Sequence, residues 1–272
     1  MKSPILVVTN PPHDEVDLDA ASTLIGLDVF QTRLKFIFSA PEVLTASDRA
    51  SAEGVAESFR SAGVSVATFD GLELWAIPWP EPVSSFEFTG TGLVARLPDR
   101  ELELTYDSNV VGVYCKPPAG FRTKSTQPTV SPDDDGMDIV NAIEWMANLD
   151  LYFVRDGSLQ RISIIEDLTD FSGLGPMRRR TVAEDMEETA AGCNRRFSKM
   201  VLDTRLENVR PRRRFVGGDA AVNPELRERY SFGTLLLKGM LASISPELAD
   251  LTQYELGSRL GYVTSRGQTN GA

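Results

Sequence analysis

Two hydrophobic rhythms divide this chain, and each dictates a different local structure. In the stretch after Asp48, the apolar residues Ala52, Val55, Ala56 and Phe59 fall on one helical face, with Glu53, Glu57 and Arg60 elsewhere. From Leu72 to Lys116 the period drops to two, with Phe86 and Phe88, then Leu102 and Leu104, set between the turn sequences TGTG, PDR and DSN. That alternation predicts an antiparallel meander with one buried face. Helical and strand blocks kept apart along one chain predict the α+β class. Hydrophobic content of 42% with 25% charged residues is that of a chain able to bury a core.

The N-terminal block resolves further. PILVVT, residues 4 to 9, is a branched apolar run that predicts a buried strand ending at Asn10-Pro11-Pro12. Asp17 can cap a short helix through Leu24, with Gly26 near its end, and a second helix covers about Val29 to Ile37. SAPEVLTASD then runs extended to Ser47 or Asp48, either of which can cap the next helix, and Gly63 stops that helix before the strand VSVATF. The expected order is βααβαβ, continued by the meander.

Residues 27 to 69, LDVFQTRLKFIFSAPEVLTASDRASAEGVAESFRSAGVSVATF, resemble the C-terminal domain of the bacterial ribosomal stalk protein. The shared features are an Ala-Pro pair after a helix, a short extended stretch, an Ala-rich amphipathic helix and an AG turn into a final strand. The resemblance implies a fold. In that family basic side chains on the first two helices meet translation factors; in this chain the first helix opens with Asp17 and Asp19, and Arg33 and Lys35 stand in the second.

Residues 117 to 137, PPAGFRTKSTQPTVSPDDDGM, have no periodic face and predict a linker between a first domain, 1–116, and a second, 138–262. In the second, Ile139, Ile143 and Met146 mark a helix, and LDLYFVRDGSLQRISII reads as a hairpin turned at Asp156-Gly157. A capped helix starts at Thr181, and C-terminal helices follow from about Phe232 to Ile244 and from Ser245-Pro246. The last ten residues, 263–272, VTSRGQTNGA, are expected to form a flexible tail or to be tethered by a partner.

DFSGLGPMRRRTVAEDMEE, residues 170 to 188, raises the possibility of a phosphate cradle, with glycines and three arginines before a helix start. Thr181 and Glu184 form a capping box, however, and Asp185, Glu187 and Glu188 add carboxylates where the helix dipole already favours them. SGLG also lacks the Gly-Lys-Ser/Thr ending of a nucleotide loop. The expectation is a plain loop, with Arg178, Arg179 and Arg180 paired to the adjacent acidic turns. The run RPRRRF, with Arg210, Arg212, Arg213 and Arg214, has no nearby carboxylate and could meet phosphates, an acidic partner or the acidic remainder of the protein itself.

Other constellations are incomplete. Asp133, Asp134, Asp135 and Asp138 fail the calcium-loop pattern, since Ala142 stands where the bidentate Glu belongs. The chain has one histidine, His13, and two cysteines, Cys115 and Cys193, which match neither a zinc spacing nor a disulfide framework. No catalytic residue, metal ligand or cofactor site is therefore assigned. Trp75 and Trp145 read as core residues, and Trp79 between Pro78 and Pro80 as an exposed contact residue.

Net charge is -11, although Phe171 to Phe215 carries about +5 and the remainder about -16. Such a chain is poorly suited to general nucleic-acid or anionic-lipid binding. The apolar run LLLKGMLASI is too short for membrane insertion, and the N-terminal sequence lacks a signal-peptide core. The expectation is a non-enzymatic interaction or scaffold protein of the bacterial cytoplasm, with a protein partner or self-association. The expected contacts are Arg178, Arg179, Arg180, Arg210, Arg212, Arg213, Arg214 and Trp79. Two alternatives stand beside it: nucleic-acid association through the basic 178–214 segment, and an enzyme whose linker carboxylates meet Glu166, Asp167 and Asp170 in a cleft.

Overall fold

The structure, a computed structural model, describes residues 5–9, 16–36, 40–116, 147–207 and 253–269. Strand β1 (Ile5–Thr9) lies at the centre of a three-stranded antiparallel sheet ordered β2-β1-β3, with β2 at Val43–Ser47 and β3 at Val66–Asp70. Its continuous apolar run is explained by burial on both sides. Ile5 and Val7 pack beneath helix α3 (Arg49–Ser61) with Ala52, Ala56 and Phe59, and Leu6 and Val8 join a second core on the opposite face.

Helices α1 (Leu18–Ile25) and α2 (Val29–Phe36) complete the expected βααβαβ order. Local chemistry sets their ends. Asp17 accepts from the Asp19 and Ala20 amides at 3.1 Å, and Gly26 closes α1 at φ 68°. Asp48 is the residue that caps α3, accepting from Ala50 and Ser51 at 3.1 and 3.2 Å. Lys35 of α2 is turned inward, its ammonium donating to the Val43 carbonyl at 3.0 Å.

The alternating stretch begins later than expected, because Asp70 caps a short helix, α4 (Gly71–Trp75), by accepting from the Leu72 amide at 2.8 Å. After the two-residue strand β4 (Glu81–Pro82), strands β5 (Ser85–Phe88), β6 (Gly92–Arg96) and β7 (Glu101–Thr105) form an antiparallel meander. The next strand, β8 (Asn109–Lys116), leaves the meander for a different sheet.

That sheet has five strands in the order β11-β8-β9-β10-β4. Strands β9 (Asn148–Arg155) and β10 (Ser158–Ile165) are the expected hairpin, turned through Asp156 at φ 51° and Gly157 at φ 75°. Strand β11 (Lys199–Glu207), for which the sequence offers no signal, runs parallel to β8. Strands β4 and β8 precede residues 117–137 and β9 to β11 follow them, so the sheet crosses the expected domain boundary. The linker itself, the helix marked by Ile139, Ile143 and Met146, and the Leu-rich segment 232–244 lie outside the described residues.

On one face of this sheet Leu149, Leu151 and Phe153 meet the meander, a 3₁₀ helix (Phe171–Met177) and α5 (Val182–Arg196). Burying each such side chain contributes about 1.5–3 kcal/mol. The other face receives helix α6 (Gln253–Thr269), helical as expected up to 262 and continuing through 263–269 of the expected tail. Residues 256–265 are all buried, Val263, Thr264 and Ser265 among them. Gly257, Gly261 and two β-branched residues are poor helix formers, so packing rather than propensity sustains α6.

Candidate functional site

The suspected phosphate cradle is filled by the protein's own groups. Glu184 accepts from the Thr181 and Arg180 amides at 3.0 and 3.2 Å, Thr181 accepts from the Glu184 amide at 3.2 Å, and Asp185 accepts from the Arg179 amide at 2.6 Å. The glycine at 173 serves packing, since a Cβ there would overlap the Phe86 carbonyl oxygen. Arg178 sits 3.6 Å from Asp185, and Arg179 donates to Glu188 at 2.7 Å, with Arg195 on the other Glu188 oxygen. These two guanidiniums hold the Glu188 carboxyl below the usual carboxylate range. The Arg180 side chain is exposed.

Arg210, Arg212, Arg213 and Arg214 lie outside the described residues, as do His13, Trp145 and the aspartates at 133, 134, 135 and 138. Of the remaining suspected carboxylates, Glu166 is buried and accepts from the Ala147 amide at 3.2 Å, Asp170 caps the 3₁₀ helix through the Ser172 amide at 2.9 Å, and Asp167 is exposed. Burial pushes the Cys115 and Cys193 thiols up to about 12, far from a nucleophilic thiolate at neutral pH. Among the described residues no group of three His, Cys, Asp or Glu side chains is placed to hold a metal ion, and no helix is long and apolar enough to cross a membrane.

The structure instead assembles a buried polar network that no sequence motif announces. Strands β9 and β10 alternate, and the side that does not carry Leu149, Leu151 and Ile162 presents Asn148, Asp150, Tyr152, Arg161 and Ser163. Asp150 and Arg161 form an ion pair at 2.7 Å, both side chains fully buried. Ser258 of α6 donates to the same Asp150 oxygen at 2.5 Å, which leaves its own oxygen to accept from the Tyr152 hydroxyl at 2.7 Å. The Tyr152 ring stacks on Tyr262 with centroids 4.4 Å apart.

A second set of bonds fastens the far side of α6. Arg205 of β11 binds Asp203 at 2.6 Å and donates to Thr264 at 2.6 Å, and Ser265 donates to Asp203 at 3.2 Å. Close approach is possible because α6 carries glycine at the contact. A Cβ at Gly257 would lie 3.2 Å from the Leu206 side chain, and one at Gly261 would lie 3.0 Å from Asp203 and 3.1 Å from Val113.

A separate contact of α6 reaches the surface through Arg259. This guanidinium is fully buried and donates to the carbonyls of Leu74 and Trp75 at 2.9 and 3.0 Å. It also lies 5.1 Å from the centre of the Trp79 ring and 5.9 Å from that of Trp75. Trp79 itself is 58% exposed. Trp75 is half-buried against the α6-side core, as the sequence leads one to expect. The loop bearing Trp79 is thus tied to a helix 180 residues further along the chain.

None of Asp150, Arg161, Ser258 or Arg259 stands in a recognisable motif. The only signal in the sequence is alternation, as in NLDLY, which ordinarily marks a polar face open to water. Comparison with protein-family models, curated proteins and solved structures finds no match to this chain.

Proposed function

We propose that the protein acts by binding other proteins, with Trp79 as the anchor of the contact. The observation that carries this reading is the combination of exposure and fixation at that residue. Trp79 is 58% exposed, stands between Pro78 and Pro80, and has the Arg259 guanidinium set against its ring. A tryptophan held in one pose offers a large amphipathic surface and loses little conformational freedom on association, the property that makes such residues dominate interfaces.

Arg178 and Arg179 take a lesser part in this reading, because their charge is already opposed by Asp185 and Glu188. The test is affinity capture of the intact protein from native lysate, followed by binding of the purified partner, or of a second copy, to the parent chain and to Trp79→Ala. The variant is expected to bind at least tenfold more weakly, about 1.4 kcal/mol, with the unfolding midpoint lowered only by loss of the Arg259 contact. Equal affinity of the two chains would reject Trp79 as the anchor.

A further inference from the structure

Strand β11 ends the five-stranded sheet, and among the described residues β8 is its only strand neighbour. Alternate backbone N–H and C=O groups along it therefore point away from the sheet. With 9 residues it is the longest strand at any edge of the molecule. Other edges are short, closed or charged: β4 has 2 residues, one of them Pro82, the Asp170 amide donates to the Ser84 carbonyl beside β5 at 2.8 Å, and β7 bears the exposed Glu101 and Glu103. In β11 the apolar run Met200, Val201 and Leu202 is only half-buried, although Met200 and Leu202 already reach the core that α5 covers. Unpaired backbone and apolar surface still open to water thus coincide on one strand. Its pairing with β8 is regular from Lys199 to Asp203 and shifts only beyond that point. Charge does not bar a second copy here, because Lys199 and Arg205 offset Asp203 and Glu207 along β11 even though the whole chain carries -11.

We propose that two copies of the chain pair through β11, antiparallel and centred on Val201, so that the sheet of one copy runs on into the sheet of the other. A two-fold axis makes such a contact self-complementary. In this register Met200 stands opposite Leu202 of the second copy, Val201 opposite its own counterpart, and Lys199 opposite Asp203. Apolar residues meet apolar ones and unlike charges meet, the cross-strand pairs that stabilise a sheet. Sidedness is kept as well. Asp203 bonds Ser265 of α6, while Met200 and Leu202 face the α5 side, so each opposed pair lies on one face of the extended sheet. Trp79 precedes β4 at the other end of the strand order, and the pairing of β11 does not rest on its being a contact residue.

Sedimentation of the intact protein over a concentration series tests the pairing. The parent chain is expected to pass from monomer to dimer as concentration rises. Val201→Lys sets two ammonium groups against each other at the axis and should weaken dimerisation at least tenfold. Val201→Cys reads the register and serves also if Val201→Lys fails to fold. With oxidised glutathione it should give a covalent dimer, since residues directly opposite on antiparallel strands lie within disulfide reach, whereas Thr204→Cys, outside the regular stretch, should not. Cys115 and Cys193 are buried and add no background. A parent chain that stays monomeric up to about 0.1 mM overturns the proposal and means that the edge is closed within one chain. So does a dimer that Val201→Lys leaves intact, or in which Val201→Cys forms no cross-link. Trp79→Ala should dimerise like the parent; loss of the dimer in that variant would assign self-association to the Trp79 contact instead and overturn the role of β11.

Discussion

The two faces of the five-stranded sheet come from the same interior strands and are held in different ways. Toward the meander and α5, Leu149, Leu151 and Phe153 pack with Ile162 and Ile164 in a core whose strength is apolar area removed from water. Toward α6, Leu256, Leu260 and Val263 also pack on Val111, Val113 and Leu206, but Asp150, Tyr152, Arg161 and Ser258 add a chain of specific partners in which each group depends on the next. The apolar face should tolerate any side chain of similar volume. The polar face should tolerate removal of a whole pair far better than removal of one member.

The sharpest way to break this contrast is to strand a charge. Asp150→Ala leaves the buried Arg161 without its carboxylate and is expected to cost about 3–5 kcal/mol in urea denaturation. Asp150→Leu combined with Arg161→Met should recover most of that loss, because the stranded charge is removed with its partner. Equal losses in the single and double variants would mean that packing, rather than pairing, governs this face as well.

One position along β9 the rule reverses. Leu151→Met changes shape while conserving volume, and its cost is expected to stay under about 1.5 kcal/mol by the same measurement. A loss as large as that of Asp150→Ala would remove the distinction between the two faces.

The smallest effect is expected where charge is paired near solvent. Glu188 on α5 is held by Arg179 and Arg195, and their hydrogen bonds lower its carboxyl below the ordinary glutamate value of 4.5. A depressed folded-state pKa means that this carboxylate stabilises the fold above that value and loses its contribution as pH falls through the lowered one. Glu188→Gln should therefore lower the thermal midpoint slightly near neutrality, by under about 1 kcal/mol equivalent, and match the parent in acid. A difference that persists or grows in acid would contradict the assigned cause.

The same contrast explains what could be read from the chain. Features fixed by neighbours in sequence were legible: the caps at Asp17 and Asp48, the Asp156-Gly157 hairpin turn, the Thr181 and Glu184 capping box, the inward face of α3. Their chemistry is complete within a few residues. The exposed Trp79 was legible too, since a tryptophan between two prolines has little else to do. The polar face was not, because alternation in NLDLY describes which residues share a side and is silent on what covers it. The end of α6, residues 263–269, reads as a tail because glycines and β-branched residues give it weak helical character, and contact of the helix with β8 and β11 overrides that. Pairing of β8 with β9 and β11 across the Pro-rich 117–137 stretch is likewise a long-range event with no local signature.

The central claim is that the polar network adds to the apolar packing of α6 through the bond between Ser258 and Asp150, and a double-mutant cycle tests it most directly. Stabilities of the parent, Asp150→Asn, Ser258→Ala and the combined variant would be taken from urea denaturation. A coupling of about 1 kcal/mol or more between the two positions is the expected result. Additivity within about 0.5 kcal/mol would contradict it and leave α6 resting on its apolar contacts and on its bonds through Thr264, Ser265 and Arg259.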